Sequence, residues 1–439
     1  MSTGAWRSRS FRLLVIGQGV SSVGDGVAPV ALSFAVLELT GSVRDLGIVL
    51  AARSLPLVVF VLAGGVLADR LPRRIVMLAS DLVRAGAQAA CAVLLLTGVA
   101  QIWQLAALQA LYGAARAFFG PASTGLVPEL VGAGELQEAN SLMGVSENLS
   151  AIVGPALGGV VVVASSAGWG LAFDAAAFVV SASSLALMRL GELTRPARRS
   201  ALAELREGWH AFAGRTWLWA SVAAMPLILM VIGAPFDVLG PQVAKADLGG
   251  AGAWAAISAA MGIGAALGGA VGFRWQPRYP LRVAFLLPLA GEPVLLFLLA
   301  RHELLGLIVG FSLITGISYT VFNVLWFTAL QREIPAGELS RVSSWDHFGT
   351  YLLQPLGLAL VGPIAISIGI STTLYVAAAL AVVLTFAVLS VGAVRNFELS
   401  PLPAAEPELD EPGAVVLARA LHPDAVRSPN PDLGEELGP

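Results

Sequence analysis

Twelve apolar stretches, each long enough to cross a bilayer as a helix, leave this chain little choice of fold. A span needs about 20 mostly apolar residues. Windows of that kind lie near 11–38, 45–68, 75–98, 102–127, 138–164, 168–190, 216–240, 252–273, 282–300, 304–330, 342–366 and 369–393, divided by Arg, Pro or Gly-rich breaks. Hydrophobic residues make up 56% of the chain and charged ones 13%, whereas soluble domains carry about 25% charged residues. A surface for water cannot be built from that. Lipid offers no hydrogen bonds to a bare backbone, so the expected fold class is an all-α membrane protein.

Orientation follows from the basic residues. With the N-terminus in the cytoplasm, eighteen arginines fall on cytoplasmic segments through Arg395, and only Arg44, Lys245 and Arg301 fall outside. The positive-inside rule therefore places both termini in the cytoplasm. Arg7, Arg9 and Arg12 precede an apolar run reaching about Leu39. That run is too long for a signal peptide and is expected to remain as an uncleaved first span. Lys245 is the one lysine beside 25 arginines, a bias typical of a GC-rich bacterium, so the expected location is a bacterial inner membrane.

Several classes are excluded. A net charge of −3, with acidic residues crowded at the C-terminus, gives no basic footprint for nucleic acid. Cys91 is the only cysteine, so no intramolecular disulfide or cysteine-based metal site is available. No GxxxxGK[ST] loop is present, which excludes an ATP-driven pump on this chain alone. No nucleophile or metal-ligand constellation points to an enzyme, and no cofactor is expected beyond a proton gradient.

The organisation is two halves. After a short N-terminus (1–10), a first six-helix bundle covers 11–190 and a second covers 216–393. The 191–215 linker between them contains Leu202, Leu205, Trp209 and Phe212 at helical spacing, opposite Glu204, Arg206 and Glu207. This predicts an amphipathic helix on the inner leaflet, with a solvated linker as the alternative. A tail covers 394–439; from Asn396 onward, eight prolines and nine acidic residues accompany only Arg419 and Arg427, a composition expected to be disordered. Internal similarity links the halves. Gly64, Gly65 and Arg70 match Gly268, Gly269 and Arg274 at an offset of 204, and Glu135, Leu136, Gly154 and Gly159 match Glu338, Leu339, Gly357 and Gly362 at 203. Parallel repeats of this kind are one architecture of secondary transporters.

Three segments resemble motifs of the major facilitator superfamily. Gly65-Val66-Leu67-Ala68-Asp69-Arg70-Leu71-Pro72-Arg73-Arg74 resembles its signature loop, with Pro72 where the family usually has glycine. The resemblance implies that Gly65, Asp69, Arg70, Arg73 and Arg74 form a conformational latch. Gly154-Pro155-Ala156-Leu157-Gly158-Gly159 resembles the core of the antiporter motif, although the glycine expected four residues upstream is Ser150. Gly154, Pro155, Gly158 and Gly159 would let helices rock on one another, and a generic close-packed helix pair is the competing explanation. In span four, Arg116 precedes Gly120 as in a third motif, with Phe119 replacing the usual glutamine. Ser21-Ser22-Val23-Gly24-Asp25, Ala117 to Ala122, Pro128-Glu129-Leu130-Val131 and Glu138-Ala139-Asn140-Ser141 are similar to the enterobactin-exporter and macrolide-efflux branch. The resemblance implies twelve transmembrane helices in two pseudo-symmetric halves.

Ionisable groups at membrane depth cost roughly 2.5–3.5 kcal/mol on insertion scales, which makes each a functional candidate. Burial raises a carboxylate's pKa and a nearby arginine lowers it. On that basis Asp25 and Glu147, tuned by Arg53 and Arg116, are the proton-coupling candidates, with a structural Asp25–Arg53 salt bridge as the alternative. Asp81 and Arg84, three apart on one face, are expected to satisfy each other. Asp174 and Asp237 are expected near hydrated outer ends, Glu292 beside a partner on an adjacent helix, and His347 near the inner end of span eleven. The resemblance implies a substrate site near the midplane, lined mainly by spans one, four, seven and ten. Tyr112, Tyr319, Asn323 and Trp326 are the cavity candidates, a lining suited to amphipathic molecules. The expected function is proton-coupled efflux of amphipathic small molecules, such as drugs or secreted metabolites, by a monomer. A major facilitator importer or lipid transporter is the first alternative, and a non-transporting sensor or scaffold whose acidic tail recruits a partner is the second.

Overall fold

The computed structural model describes residues 4–132, 135–188, 209–275 and 277–400, excluding the side chains of 5, 61–70, 137, 273–274, 336–337, 340–341, 344 and 347. The first half contains α1 (Arg9–Thr40), α2 (Val43–Arg70), α3 (Arg73–Leu96), α4 (Ile102–Leu130), α5 (Leu136–Ala164) and α6 (Ala167–Leu187). The second contains α7 (Thr216–Asp247), α8 (Ala251–Arg274), α9 (Pro280–Ala300), α10 (Leu305–Glu333), α11 (Ala336–Tyr351 and Gln354–Ile368) and α12 (Ile370–Ser390). Ten helices among the described residues are long and apolar enough to cross a membrane. The other two long helices, α2 and α4, have 28 and 29 residues.

Two spans are broken where the sequence reading has them continuous. In α9 a 3-10 turn at Leu287–Ala290 separates Pro280–Leu286 from Glu292–Ala300. Pro288 has no N–H to donate, and Gly291 packs directly against Thr315 of α10. α11 starts at Ala336, before the expected 342, and is interrupted ahead of Pro355. The start of α1 is fixed by Ser8, whose hydroxyl accepts from the Phe11 N–H at 3.3 Å, and its end by Gly41 at φ +66°.

Helix packing reproduces the repeat. α1 packs on α5 and α6, α2 on α4, and α3 on α4 and α6; adding six to each number gives the pairs α7 on α11 and α12, α8 on α10, and α9 on α10 and α12. The halves meet where α5 lies on α8 and α2 on α11. The glycines explain why these contacts are close. A Cβ at Gly154 would lie 2.6 Å from Gly26 Cα of α1, while Gly159 faces Ala255 of α8. Their repeat partners do the same: Gly357 abuts Met230 and Ala234 of α7, and Gly362 abuts Arg44 of α2. In lipid, where burial from water gives no drive to associate, such backbone approach and van der Waals contact hold helices together.

The two ends of the bundle differ. At one end a single core joins the halves, with Leu37, Leu46 and Val49 packed in the same cluster as Val238, Trp254 and Leu358. Lys245 of α7 donates across the halves to the Leu37 carbonyl of α1 at 2.6 Å. At the other end the cores are separate: Phe11, Met77 and Leu126 in the first half, and Leu218, Trp326 and Leu330 in the second. The expected linker helix lies mostly outside the described residues. Its last part is helical over 209–213, where Trp209 packs on Trp345 with ring centroids 4.9 Å apart. The tail beyond 400 is also outside the described residues.

Candidate functional site

The first half encloses a charged cluster assembled by α1, α2, α3, α4 and α6. Gly113 is the contact that brings it together. A Cβ there would collide with the Arg53 carbonyl, so α2 and α4 approach until the Arg53 guanidinium carbon sits 4.1 Å from the centroid of the Tyr112 ring. Tyr112 is fully buried, and its hydroxyl donates to Asp25 of α1. Arg53 Nη2 lies 3.7 Å from Asp25 Oδ1.

Arg84 of α3 completes the cluster. It is 2% exposed. Its Nη1 is 3.7 Å from Asp25 Oδ2, and its Nη2 pairs with Asp81 one turn earlier. Its guanidinium lies between the rings of Phe119 and Phe178, 4.3 and 4.2 Å from their centroids. Aromatic faces of this kind stabilise a desolvated cation by about 2 kcal/mol. The result is an alternating chain, Asp81–Arg84–Asp25–Arg53, of two carboxylates and two guanidinium groups. Asp25 alone of the carboxylates in it keeps appreciable exposure, 25% of its side chain. Arg116, one turn beyond Tyr112 on α4, is exposed and lies within electrostatic reach of both Asp25 and Tyr351 of α11. It therefore stands between the halves.

Behind this chain is a neutral one. Gln109 of α4 donates to Gln88 Oε1 of α3 at 2.9 Å, and Gln88 donates to Asp174 Oδ2 of α6 at 2.6 Å. All three side chains are fully buried. Asp174 is therefore not at a hydrated outer end, because the small residues of α6 let it lie against Gly24 of α1.

The structure brings together Asp25, Arg53 and Tyr112, places Arg116 at the edge of the group, and leaves Glu147 exposed on α5 away from it. Tyr319 is 42% exposed on α10, and Asn323 donates to its carbonyl at 2.9 Å. Trp326 is in the packed core at 4% exposure, donating to Asp346 at 3.2 Å, and Tyr112 is likewise buried. Neither side chain lines an open wall, because each turns its polar atom to a carboxylate. Arg73 and Arg74 act within the first half. Arg73 donates to Glu129 at 3.0 Å and to the Gly125 carbonyl, and Arg74 to the Leu185 and Ala186 carbonyls that end α6, both at 2.7 Å. The side chains of Gly65, Asp69, Arg70 and His347 are outside those described. Arg84, Gln88, Gln109 and Asp174 were not singled out as a group by the sequence. The spacing of Asp81, Arg84, Gln88 and Cys91 was the available signal, since it places polar residues on one face of α3. Among the described residues no three His, Cys, Asp or Glu side chains gather as a metal site.

Comparison with known proteins agrees with this architecture. The multidrug efflux pump Tap of Mycolicibacterium fortuitum is 31% identical over 378 residues, covering 82% of this chain and 90% of that protein. Macrolide efflux protein A of Streptococcus pyogenes is 24% identical, covering 90% and 98%. Among solved structures, the nucleoside transporter NupG superimposes with a TM-score of 0.69 at 15% identity, over 87% of this chain and 98% of that one. A bacterial homolog of the human lysosomal transporter Spinster, in an inward-facing and occupied conformation, gives 0.69 at 13% identity, over 91% and 100%. These are transporters, not enzymes. The family model of the Major Facilitator Superfamily matches residues 14–358, and the chain belongs to that superfamily of membrane transporters.

Proposed function

We propose that this chain exports amphipathic small molecules across a bacterial inner membrane in exchange for protons, with Asp25 as the coupling carboxylate. The efflux roles in the names of the relatives Tap and macrolide efflux protein A support the direction. The arginine distribution supports cytoplasmic termini. The sealed end, which carries Leu37, Lys245 and Trp254, is then the outer one, and the halves part toward the cytoplasm. The observation that carries the coupling role is the partial exposure of Asp25 within an otherwise buried chain of ion pairs, next to the exposed Arg116.

In this conformation Asp25 is held by Arg53, Arg84 and Tyr112. Substrate enters from the inner leaflet or cytoplasm and competes for that carboxylate. As the halves rock, Asp25 separates from an arginine partner and takes a proton from the outer side, and return to the inward-open state releases it. Tyr319 and Asn323 on α10, together with Arg116, supply the few polar anchors of a wall that is otherwise apolar. A monomer is sufficient, since each half contributes one face of the site. Uptake of an amphipathic panel into inverted and right-side-out vesicles under an imposed pH gradient tests the direction. Export predicts accumulation only in inverted vesicles that are acidic inside, and accumulation only in right-side-out vesicles would establish an importer.

A further inference from the structure

We propose that Asp174 is a second proton-carrying carboxyl group of this transporter, held as the neutral acid behind Asp25; its coupling role rests on the proton-driven reading above. Asp174 is completely buried, its Oδ2 accepts from Gln88, and its Oδ1 has no hydrogen-bond partner. No arginine, lysine or histidine lies within ion-pair distance of it among the described residues. Burying an unpaired carboxylate costs several kcal/mol, whereas a neutral acid with one amide partner is tolerated.

The charged groups around it are already matched. Asp25 approaches from α1, Arg53 from α2, Asp81 and Arg84 from α3, and Tyr112 and Arg116 from α4. The buried guanidinium of Arg84 and the half-buried one of Arg53 are paired with Asp25 and Asp81. Arg116 is within electrostatic reach of Asp174 but forms no ion pair with it. An ionised Asp174 would be a third carboxylate beside two guanidinium groups that are already paired, with no ion pair of its own.

The position also suits coupling. Asp174 Oδ1 is 2.6 Å from where a Cβ of Gly24 would lie, so the acid touches α1 at the residue preceding Asp25. Separating Asp25 from an arginine as the halves rock therefore changes the surroundings of both carboxyl groups together. Gln88 and Gln109 form a line of two amides whose donors and acceptors can exchange places. That line can accept a hydrogen bond from the protonated acid or donate one to the carboxylate.

Infrared spectroscopy of the full-length protein in lipid at neutral pH tests the assignment, because a protonated carboxyl group has a C=O stretch that a carboxylate lacks. We expect a band in the wild type that disappears in Asp174→Asn. Gln88→Met, which removes the amide partner, should shift the band rather than abolish it. A spectrum unchanged by Asp174→Asn overturns the proposal. Should that variant not fold, an unshifted band in Gln88→Met overturns it instead. Proton counting with ethidium as the transported probe separates this inference from the reading it rests on. Asp174→Asn should move fewer protons per ethidium than the wild type, and an equal number overturns the second coupling group. If the wild type moves ethidium without protons, the proton-driven reading fails, and with it the coupling role of Asp174, whatever the infrared band shows.

Discussion

Arg84 decides whether the charged cluster can exist at all. It neutralises Asp81, which is fully buried, and reaches Asp25 from the side opposite Arg53. Removing one partner of a buried ion pair costs about 3–5 kcal/mol because the other charge is left in an apolar site. Arg84→Met should therefore lower the melting temperature of the purified protein sharply. Arg84→Lys should recover only part of the loss, since an ammonium group cannot bridge two carboxylates while lying flat between Phe119 and Phe178. Unchanged melting in Arg84→Met would show that these charges are not ionised together. The Asp25–Arg53 pairing could be anticipated from the sequence, because the superfamily resemblance makes spans one and two neighbours. Arg84's reach to Asp25 could not, because Asp81 at i−3 already offered it a complete partner. Burial of Trp326 and Tyr112 was hidden for a related reason: an aromatic residue on a span that faces a cavity can also face the core, and the partner that decides is a distant carboxylate.

At the scale of elements, the glycines of α5 serve two different contacts. Gly154 and Gly158 seat α5 on α1 inside the first half, whereas Gly159 seats it on α8 of the second. Added volume in a packed contact costs about 1–3 kcal/mol. Gly154→Val should reduce thermal stability, because its contact persists throughout the cycle. Gly159→Val should leave folding largely intact and weaken the sealed end, so that spin labels placed at Leu39 and Leu248, in a Cys91→Ser background, report a longer distance. Lys245→Met removes the cross-half bond to Leu37 and should lengthen the same distance. No change in either variant would mean that these contacts do not hold the sealed end closed. The repeat was legible as an offset of 203, and the structure gives it a physical meaning, since Gly357 and Gly362 occupy the equivalent contacts on α7 and α2. The break in α9 was less legible, because Pro288 within an apolar run reads equally well as a tolerated kink.

For the whole molecule, pseudo-symmetry in packing coexists with asymmetry in chemistry. Helix pairs repeat from one half to the other, but the ion-pair chain lies in the first half, and the separate core of the second half is aromatic, with Trp217, Phe322 and Trp326 packed together. A rocking motion about α2–α11 and α5–α8 would move both halves alike, yet only one carries the charged cluster built around Asp25. In the proposed cycle Asp25 couples substrate movement to protons. Its most direct test is proton counterflow in proteoliposomes, with a pH dye inside and ethidium outside, comparing wild type with Asp25→Asn that folds to the same melting profile. The wild type should move protons against ethidium, and Asp25→Asn should abolish that movement while ethidium binding persists; proton counterflow in Asp25→Asn equal to that of the wild type would contradict it.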